Sequence, residues 1–158
     1  MFFGTIRSNI LLGKKDATDE EIWKALDMAC ASEFVKKFED GLDHVVEKDG
    51  GNFSGGQKQR LCIARALLKD ANIYIFDDSF SALDFKTDAT VRSNMKEKLR
   101  DKITVIVAQR ISTIMNADII AVLDNGKLVG LGTHEELAES NSVYKEIMES
   151  QFYKEAIA

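Results

Sequence analysis

The sequence has 158 residues, of which 45% are hydrophobic and 30% charged, a composition typical of a soluble domain with a sizeable core. The formal net charge of −5 gives no support to a general nucleic-acid-binding role. No apolar stretch approaches the ~20 residues that span a bilayer. The two cysteines form no recognisable disulfide or metal framework, which favours a reducing compartment such as the cytoplasm.

Two short helices are predicted in the first third of the chain. Thr18 and Glu21 have the spacing of a capping box, and Ser32 is a candidate cap for the second helix, which Gly41 ends. Apolar residues recur at helical spacing in both segments: Ile22, Ala25, Leu26 and Ala29 in the first, and Phe34, Val35 and Phe38 in the second.

The stretch Asn52–Arg60 reads Asn-Phe-Ser-Gly-Gly-Gln-Lys-Gln-Arg and opens a run of good helix formers. Ser54 is a suitable N-cap, and the two glycines after it let a ligand approach the backbone closely. The positive end of the helix dipole adds to the exposed N–H groups at this point. The pattern is therefore that of a helix start able to hold an anion.

A short strand follows that helix. Ile73–Phe76 is apolar on both faces, which predicts a strand buried in a parallel sheet, and Asp77 and Asp78 follow it directly. Ligand chemistry in open α/β sheets lies at the carboxyl ends of strands, so these two acids are candidate site residues. A helix over about residues 87–99 leads to a second buried strand, Ile103–Val107.

The last part of the chain predicts a hairpin and two helices. Residues 119–123 and 127–131 flank an Asn125-Gly126 turn. Thr133 begins another capping box, which makes His134 a surface residue at a helix start. The final helix presents an apolar stripe of Val143, Ile147 and Met148.

Several of these stretches resemble motifs of ABC-family ATPases, in the family's order. Asn52–Arg60 resembles the signature motif, and the strand ending in Asp77-Asp78 resembles the Walker B element. Ser81–Asp84 is similar to the D-loop, which crosses the dimer interface in the family. Ala108–Thr113 is similar to the switch loop, and Phe2–Ile10 to the stretch that follows the glutamine loop of exporters.

The resemblance implies an α/β fold: a partial P-loop NTPase (RecA-like) core with a mostly parallel sheet, and a helical subdomain. The subdomain would occupy about residues 16–68 and the core about residues 69–158, with ATP and Mg²⁺ as cofactors. The closest likeness is to one subunit of a heterodimeric exporter. Its expected partners are a second ATPase subunit and transmembrane domains on the cytoplasmic side of a membrane, with no nucleic acid.

The resemblance also assigns the site residues. Asp77 would hold Mg²⁺ through water, while Asp78 and Gln109 stand where the family has its catalytic glutamate and switch histidine. Both substitutions weaken the site, because Asp78 is one methylene shorter and Gln109 cannot carry a positive charge. The residues expected at the dimer interface are Ser54, Gly55, Gly56 and Gln57, on the partner's ATP, and Asp84 in the D-loop.

The phosphate-binding loop of the family, Gly-x-x-x-x-Gly-Lys-Ser/Thr, does not occur in this sequence. In the family it lies upstream of the residues seen here. The chain is therefore expected to correspond to the C-terminal two-thirds of such a domain and to be inactive alone.

Two other interpretations are open at this point. The C-terminal lobe of an SMC-type chromosome-organising or DNA-repair ATPase also carries a signature and a Walker B without a Walker A, but it predicts heptads upstream of the signature. A non-catalytic interaction module is the other.

Overall fold

The structure is a computed structural model that describes the backbone of residues 1–157 and the side chains of residues 1–151. The chain divides into two compact units, Met1–Val107 and Ala108–Ala158. None of the helices among the described residues is both long and apolar enough to cross a membrane.

The first unit begins with a short antiparallel pair and a bundle of helices. Strand β1 pairs with β2 in the register Gly4↔Val46. Helix α4 packs against α1 and α2, and single 3-10 turns at Gly41–Asp43 and Lys48–Gly50 lie on either side of β2. The elements are β1 (Gly4–Thr5), α1 (Ile6–Ile10), α2 (Asp19–Met28), α3 (Ser32–Val35), β2 (Val45–Val46) and α4 (Gly55–Leu68).

The second part of this unit is a parallel strand pair joined by a helical crossover, as parallel pairing requires. Strand β3 (Ile73–Asp77) leads through α5 (Phe85–Leu99) to β4 (Ile103–Val107), and the two strands pair residue by residue. Both predicted strands are confirmed. The prediction that they are buried on both faces is wrong for these residues, because Ile75 is 69% exposed and Ile103 62%.

The second unit contains a hairpin and three helices. Its elements are α6 (Ile111–Ile114), β5 (Ile120–Asp124), β6 (Lys127–Gly132), α7 (His134–Ser140) and α8 (Ser142–Ile157). The hairpin turns at Asn125 and Gly126, whose positive φ angles of 46° and 75° are those of a type I′ turn. The α/β class is thus confirmed, with parallel pairing in β3–β4 and antiparallel pairing in β1–β2 and β5–β6.

Three sequence predictions about local structure are confirmed and two need correction. The predicted capping boxes are formed at Thr18 and Thr133, and Ser54 is the N-cap of α4 as predicted. Ser32 is the first helical residue and not the cap of α3, because Ala31 holds the N-cap position and makes no side-chain bond there. His134 is more than a surface residue: its Nδ1 lies 2.8 Å from the hydroxyl of the buried Tyr144.

Candidate functional site

The start of α4 is built by a reciprocal capping box. The Ser54 hydroxyl accepts a hydrogen bond from the Gln57 backbone N–H at 3.2 Å, and the Gln57 side-chain oxygen accepts from the Ser54 N–H at 2.9 Å. The helix therefore begins at Gly55, directly after the predicted N-cap Ser54. By helix geometry the N–H groups of Gly55 and Gly56 have no acceptor within the helix, so they remain available for an anion.

Gln57 is predicted to contact the nucleotide of a partner subunit, and within its own chain its side chain belongs to the capping box. Its carbonyl oxygen is already engaged by the Ser54 backbone in the capping box. Within this chain, Gln57 thus fixes the geometry of the helix start.

The two glycines of α4 lie against the D-loop of the same chain. A Cβ on Gly56 would come within 3.0 Å of the Ala82 carbonyl oxygen, and a Cβ on Gly55 would be 3.4 Å from the Ala82 Cβ. The first is tighter than ordinary packing permits, whereas the second is normal contact. The close approach of Ala82 thus favours glycine at position 56, independently of any ligand.

The two acids predicted at the end of β3 lie where the sequence placed them. Asp77 is the last residue of the strand, Asp78 follows it, and both are exposed. Asp78 has a left-handed backbone with φ of 48°, which aspartate tolerates better than most residues. Its N–H donates to the Val107 carbonyl at 3.0 Å, and its own carbonyl accepts from the Gln59 amide at 3.0 Å.

The acid chemistry at this strand end agrees with a Mg²⁺ ion held chiefly by phosphate and water. Mg²⁺ keeps several waters and takes only one or two carboxylates when a nucleotide supplies the remaining oxygens. Within the described residues, His, Cys, Asp and Glu side chains form no group of three or more that could hold a metal ion. Asp77 alone, through water, is therefore a chemically reasonable donor set.

Asp84 in the D-loop is engaged within its own chain. It is the N-cap of α5: one carboxylate oxygen accepts from the Thr87 backbone N–H at 2.9 Å and the other from the Thr87 hydroxyl at 2.7 Å. The hydroxyl bond, followed by the backbone bond, lowers the pKa of Asp84 below its ordinary value. The carboxylate is thus ionised and fixed at the end of the D-loop.

Gln109 lies in the second unit, two residues after the end of β4, with an exposed side chain. Its backbone carbonyl accepts from the Gln151 side-chain amide at 2.7 Å, and the Gln151 oxygen accepts from the Ile111 N–H at 2.9 Å. Gln151 therefore holds the switch segment to α8. Nothing in the sequence pattern singled out this glutamine.

Two further residues of α4, Gln59 and Arg60, belong to the stretch that resembles the signature motif, and the sequence predicted no role for them. Gln59 reaches the loop after β3, as described above for Asp78. Arg60 donates to the Cys30 carbonyl at 2.7 Å and lies over the Phe34 ring, 4.9 Å from its centroid, so it joins α4 to the segment around α3. Their position inside the signature-like stretch was the one sequence signal that could have pointed to these two residues.

Comparisons with known proteins agree with these features. A family model described as ABC transporter matches residues 4–81. The chain is 46% identical over 154 residues to an uncharacterized ABC transporter ATP-binding protein of Mycobacterium tuberculosis (strain ATCC 25618 / H37Rv). It is 41% identical over 152 residues to an ATP-dependent lipid A-core flippase of Chromobacterium violaceum. Both alignments cover 96% of this chain and 26% of the relative.

A solved structure is similar over the same extent. The structure of a bacterial Atm1-family ABC exporter with ATP bound matches with a TM-score of 0.90 and 36% identity, covering 96% of this chain and 26% of that one. The chain thus spans about a quarter of the length of the relatives it matches. The SMC-type alternative is not favoured, since these relatives are named as transporter proteins. The chain belongs to the ABC transporter family, and its residues form part of an ABC ATPase domain.

Proposed function

We propose that this chain supplies the signature, Walker B, D-loop and switch segments of the ATP-hydrolysing domain of an exporter-type ABC transporter. Mg·ATP is the ligand, and the work done is transmembrane transport. The observation that carries the proposal is the capped, glycine-lined start of α4, which contacts the D-loop at Ala82 in the same unit as the acids ending β3. The names of the flippase and exporter relatives support the direction of transport.

The residues divide between two nucleotides. Ser54, Gly55 and Gly56 serve the nucleotide of a partner subunit, through the N–H groups and dipole of α4. Asp77 and Asp78 serve the nucleotide of their own subunit. When bound with ATP, Mg²⁺ neutralises charge that develops on the phosphates.

The subunit's own site is the weaker of the two. A general base works within about 2.6–3.2 Å of its water, and the Asp78 side chain reaches one methylene less than the glutamate usual in the family. Gln109 can accept or donate a hydrogen bond but supplies no positive charge to a phosphate. An intact signature beside a weakened site of its own is the pattern of one subunit of an asymmetric heterodimer.

The wider assembly follows from the family. The partners are a second ATPase subunit and transmembrane domains, and the ATPase lies on the cytoplasmic side of the membrane. The loop Glu47–Gly51 is the segment that faces the membrane domains. In the described structure the Asn52 side chain holds this loop, accepting from the Glu47 N–H and donating to the Val45 carbonyl. The division into a helical subdomain, about residues 16–68, and a core, about residues 69–158, belongs to the same proposal.

The test compares variants of this subunit in the assembled heterodimer. Gly55→Asp places a carboxylate at the start of α4, where the Cβ has ordinary room, and Gly55→Asn adds the same shape without charge. An acid in the first turn favours the helix, so a lower activity cannot be attributed to a weaker helix start. We expect Gly55→Asp to lose most steady-state phosphate release, Gly55→Asn to lose much less, and Asp78→Ala to have the smallest effect.

The opposite order would reverse the assignment. If Asp78→Ala abolishes turnover while Gly55→Asp leaves it intact, the signature of this subunit does not serve the productive site. If all three variants retain wild-type turnover in an assembled transporter, these residues do not take part in ATP hydrolysis at all.

A further inference from the structure

One side chain joins the signature helix to the loop that follows β3. Gln59 lies on α4, one turn beyond the glycines, and its amide makes three hydrogen bonds to that loop. Its nitrogen donates to the Asp78 carbonyl and to the Ser81 hydroxyl, both at 3.0 Å. Its oxygen accepts from the Ala82 backbone N–H at 2.9 Å. Both donor hydrogens and the acceptor of the amide are thus used on one target.

The loop that Gln59 holds has a backbone conformation that needs support. Asp78 has a φ of 48°, and a non-glycine residue persists in this region when its surroundings fix it. Its carbonyl accepts from Gln59 at 3.0 Å and from the Ser81 hydroxyl at 3.1 Å, while its N–H is bonded to Val107. Removal of the Gln59 amide therefore removes one of the contacts that define this conformation.

The same loop also lies close to the glycines of the signature. The Ala82 N–H donates to the Gln59 side-chain oxygen. The Ala82 carbonyl oxygen would lie 3.0 Å from a Cβ atom added to Gly56. A side chain at position 56 would therefore press on Ala82, and a shift of Ala82 away from α4 would break the bond to Gln59. The start of α4 and the D-loop therefore lie close together and are joined by the Gln59 side chain.

From these contacts we propose that Gln59 is a positioning residue, which fixes the D-loop and Asp78 against the start of the signature helix. It touches no reacting group itself. Through it, the segment that serves the partner's nucleotide and the segment that serves the subunit's own nucleotide keep a single relative position. The consequence for turnover rests on the proposed function, whereas the clamp itself rests on the geometry alone.

The main variant is Gln59→Met, which keeps the length and helix propensity of the side chain and removes all three hydrogen bonds. A misplacement of about 1 Å in a catalytic arrangement costs on the order of 100-fold in rate. We expect kcat of the assembled transporter to fall at least about 10-fold, with KM for Mg·ATP within about twofold, since no nucleotide contact is lost.

The control is a side-chain amide that joins two helices elsewhere. Asn94 on α5 donates to the Met28 carbonyl at the end of α2 at 3.3 Å, so Asn94→Leu removes a bond of the same kind away from the site. The control is expected to keep wild-type kcat. Equal kcat for Gln59→Met and Asn94→Leu would overturn the proposal, because Gln59 would then act only on stability.

Hydrogen exchange of the Ala82 amide tests the clamp without any reference to ATP. We expect exchange at this N–H to be at least about 10-fold faster in Gln59→Met than in wild type, and unchanged in Asn94→Leu. Unchanged exchange in Gln59→Met would refute the clamp. Fast exchange together with failure of the Gly55→Asp test would leave the clamp in place and reject the proposed function.

If the transporter does not assemble with Gln59→Met, the variant Gln59→Glu tests the positioning role of Gln59. It keeps the volume and the acceptor for the Ala82 N–H, but it replaces the donor to Asp78 by an oxygen facing a carbonyl. We expect slow exchange at Ala82 with reduced kcat, and wild-type kcat in this variant would overturn the proposal.

Discussion

Arg7 joins three segments of the first unit through its guanidinium group. It donates to the carboxylates of Asp43, at 2.8 Å from Nε, and of Asp19 at the start of α2. The hydrogen bond from Arg7 is the main cause that lowers the pKa of Asp43 below its ordinary value of 3.8. All three side chains are partly or largely exposed, so each ion pair is expected to contribute modestly.

The sign of the pH dependence follows from that lowered pKa. A carboxylate whose folded-state pKa lies below its unfolded-state value stabilises the fold above the unfolded pKa, and this contribution is lost as the pH falls through the folded value. We therefore expect Arg7→Gln to lower Tm at pH 7, and the two Tm curves to converge as the pH falls below 3.8 and through the lowered pKa of Asp43. Thermal unfolding of both proteins, followed by circular dichroism from pH 7 downward, measures this difference in Tm.

Lys37→Gln is the control for charge alone. Lys37 is exposed and takes part in none of the ion pairs found among the described residues, so its Tm curve should run parallel to that of wild type. A constant difference between wild type and Arg7→Gln at all pH values would contradict the role given to Asp43.

Strand β3 shows at the element scale how alternate residues of one strand meet different surroundings. Phe76 is 2% exposed and packs against Tyr74 and Phe80, with ring centroids 6.3 and 5.5 Å apart. Its neighbour Ile75 points to the opposite face, and its partner in the register is Val105 of β4. Strand β3 thus has one buried and one exposed apolar face, whereas in β4 Ile106 is half-buried and the other four residues are exposed.

This alternation predicts unequal effects of truncation in the 158-residue chain. Phe76→Ala should lower the free energy of unfolding by about 3–5 kcal/mol, because it opens a cavity in the core. Ile75→Ala should change it by less than about 0.5 kcal/mol. Urea unfolding measures both, and Ile63→Ala, at a buried isoleucine of α4, serves as a control matched in residue type. A large loss for Ile75→Ala would mean that another surface covers this face in solution.

The local part of each element could be predicted from the sequence, and the surroundings could not. Helix caps depend on residues two or three positions apart, so the capping boxes at Thr18 and Thr133 and the N-cap Ser54 were recognisable from the chain alone. The strand runs were equally recognisable from their composition. Burial of the Ile75 face depends on what packs against it, and a continuous apolar run carries no information on that point.

The same division holds for the site. Motif likeness located the acids after β3 and the glycines of α4, because each lies at a fixed distance along the chain from its own element. The Gln59 bonds join residues 19 to 23 positions apart, and the Gln151 bond to Gln109 spans 42 positions. Contacts between residues so far apart in the sequence depend on tertiary packing, so the sequence assigned no role to Gln59 or Gln151.

The chain by itself offers only part of the groups that hold a nucleotide. The start of α4 offers N–H groups, and the end of β3 offers two carboxylates, but the sequence contains no Gly-x-x-x-x-Gly-Lys-Ser/Thr loop. That loop cradles the α- and β-phosphates and places a lysine on the γ-phosphate. The remaining groups belong to two different nucleotides under the proposed function, so neither nucleotide finds a complete set.

We therefore expect this chain, taken alone, neither to hydrolyse ATP nor to bind it tightly. A dissociation constant of 1 μM corresponds to about −8.2 kcal/mol, which a capped helix start and a water-mediated ion cannot supply together. Isothermal titration of the folded chain with Mg·ATP should give no saturable heat in the micromolar range.

The titration is repeated with Gly55→Asp, in which any residual phosphate contact at α4 is opposed by a carboxylate. Micromolar binding to the wild-type chain that Gly55→Asp abolishes would show that α4 holds a nucleotide without a partner. That result would contradict the division of residues between two subunits.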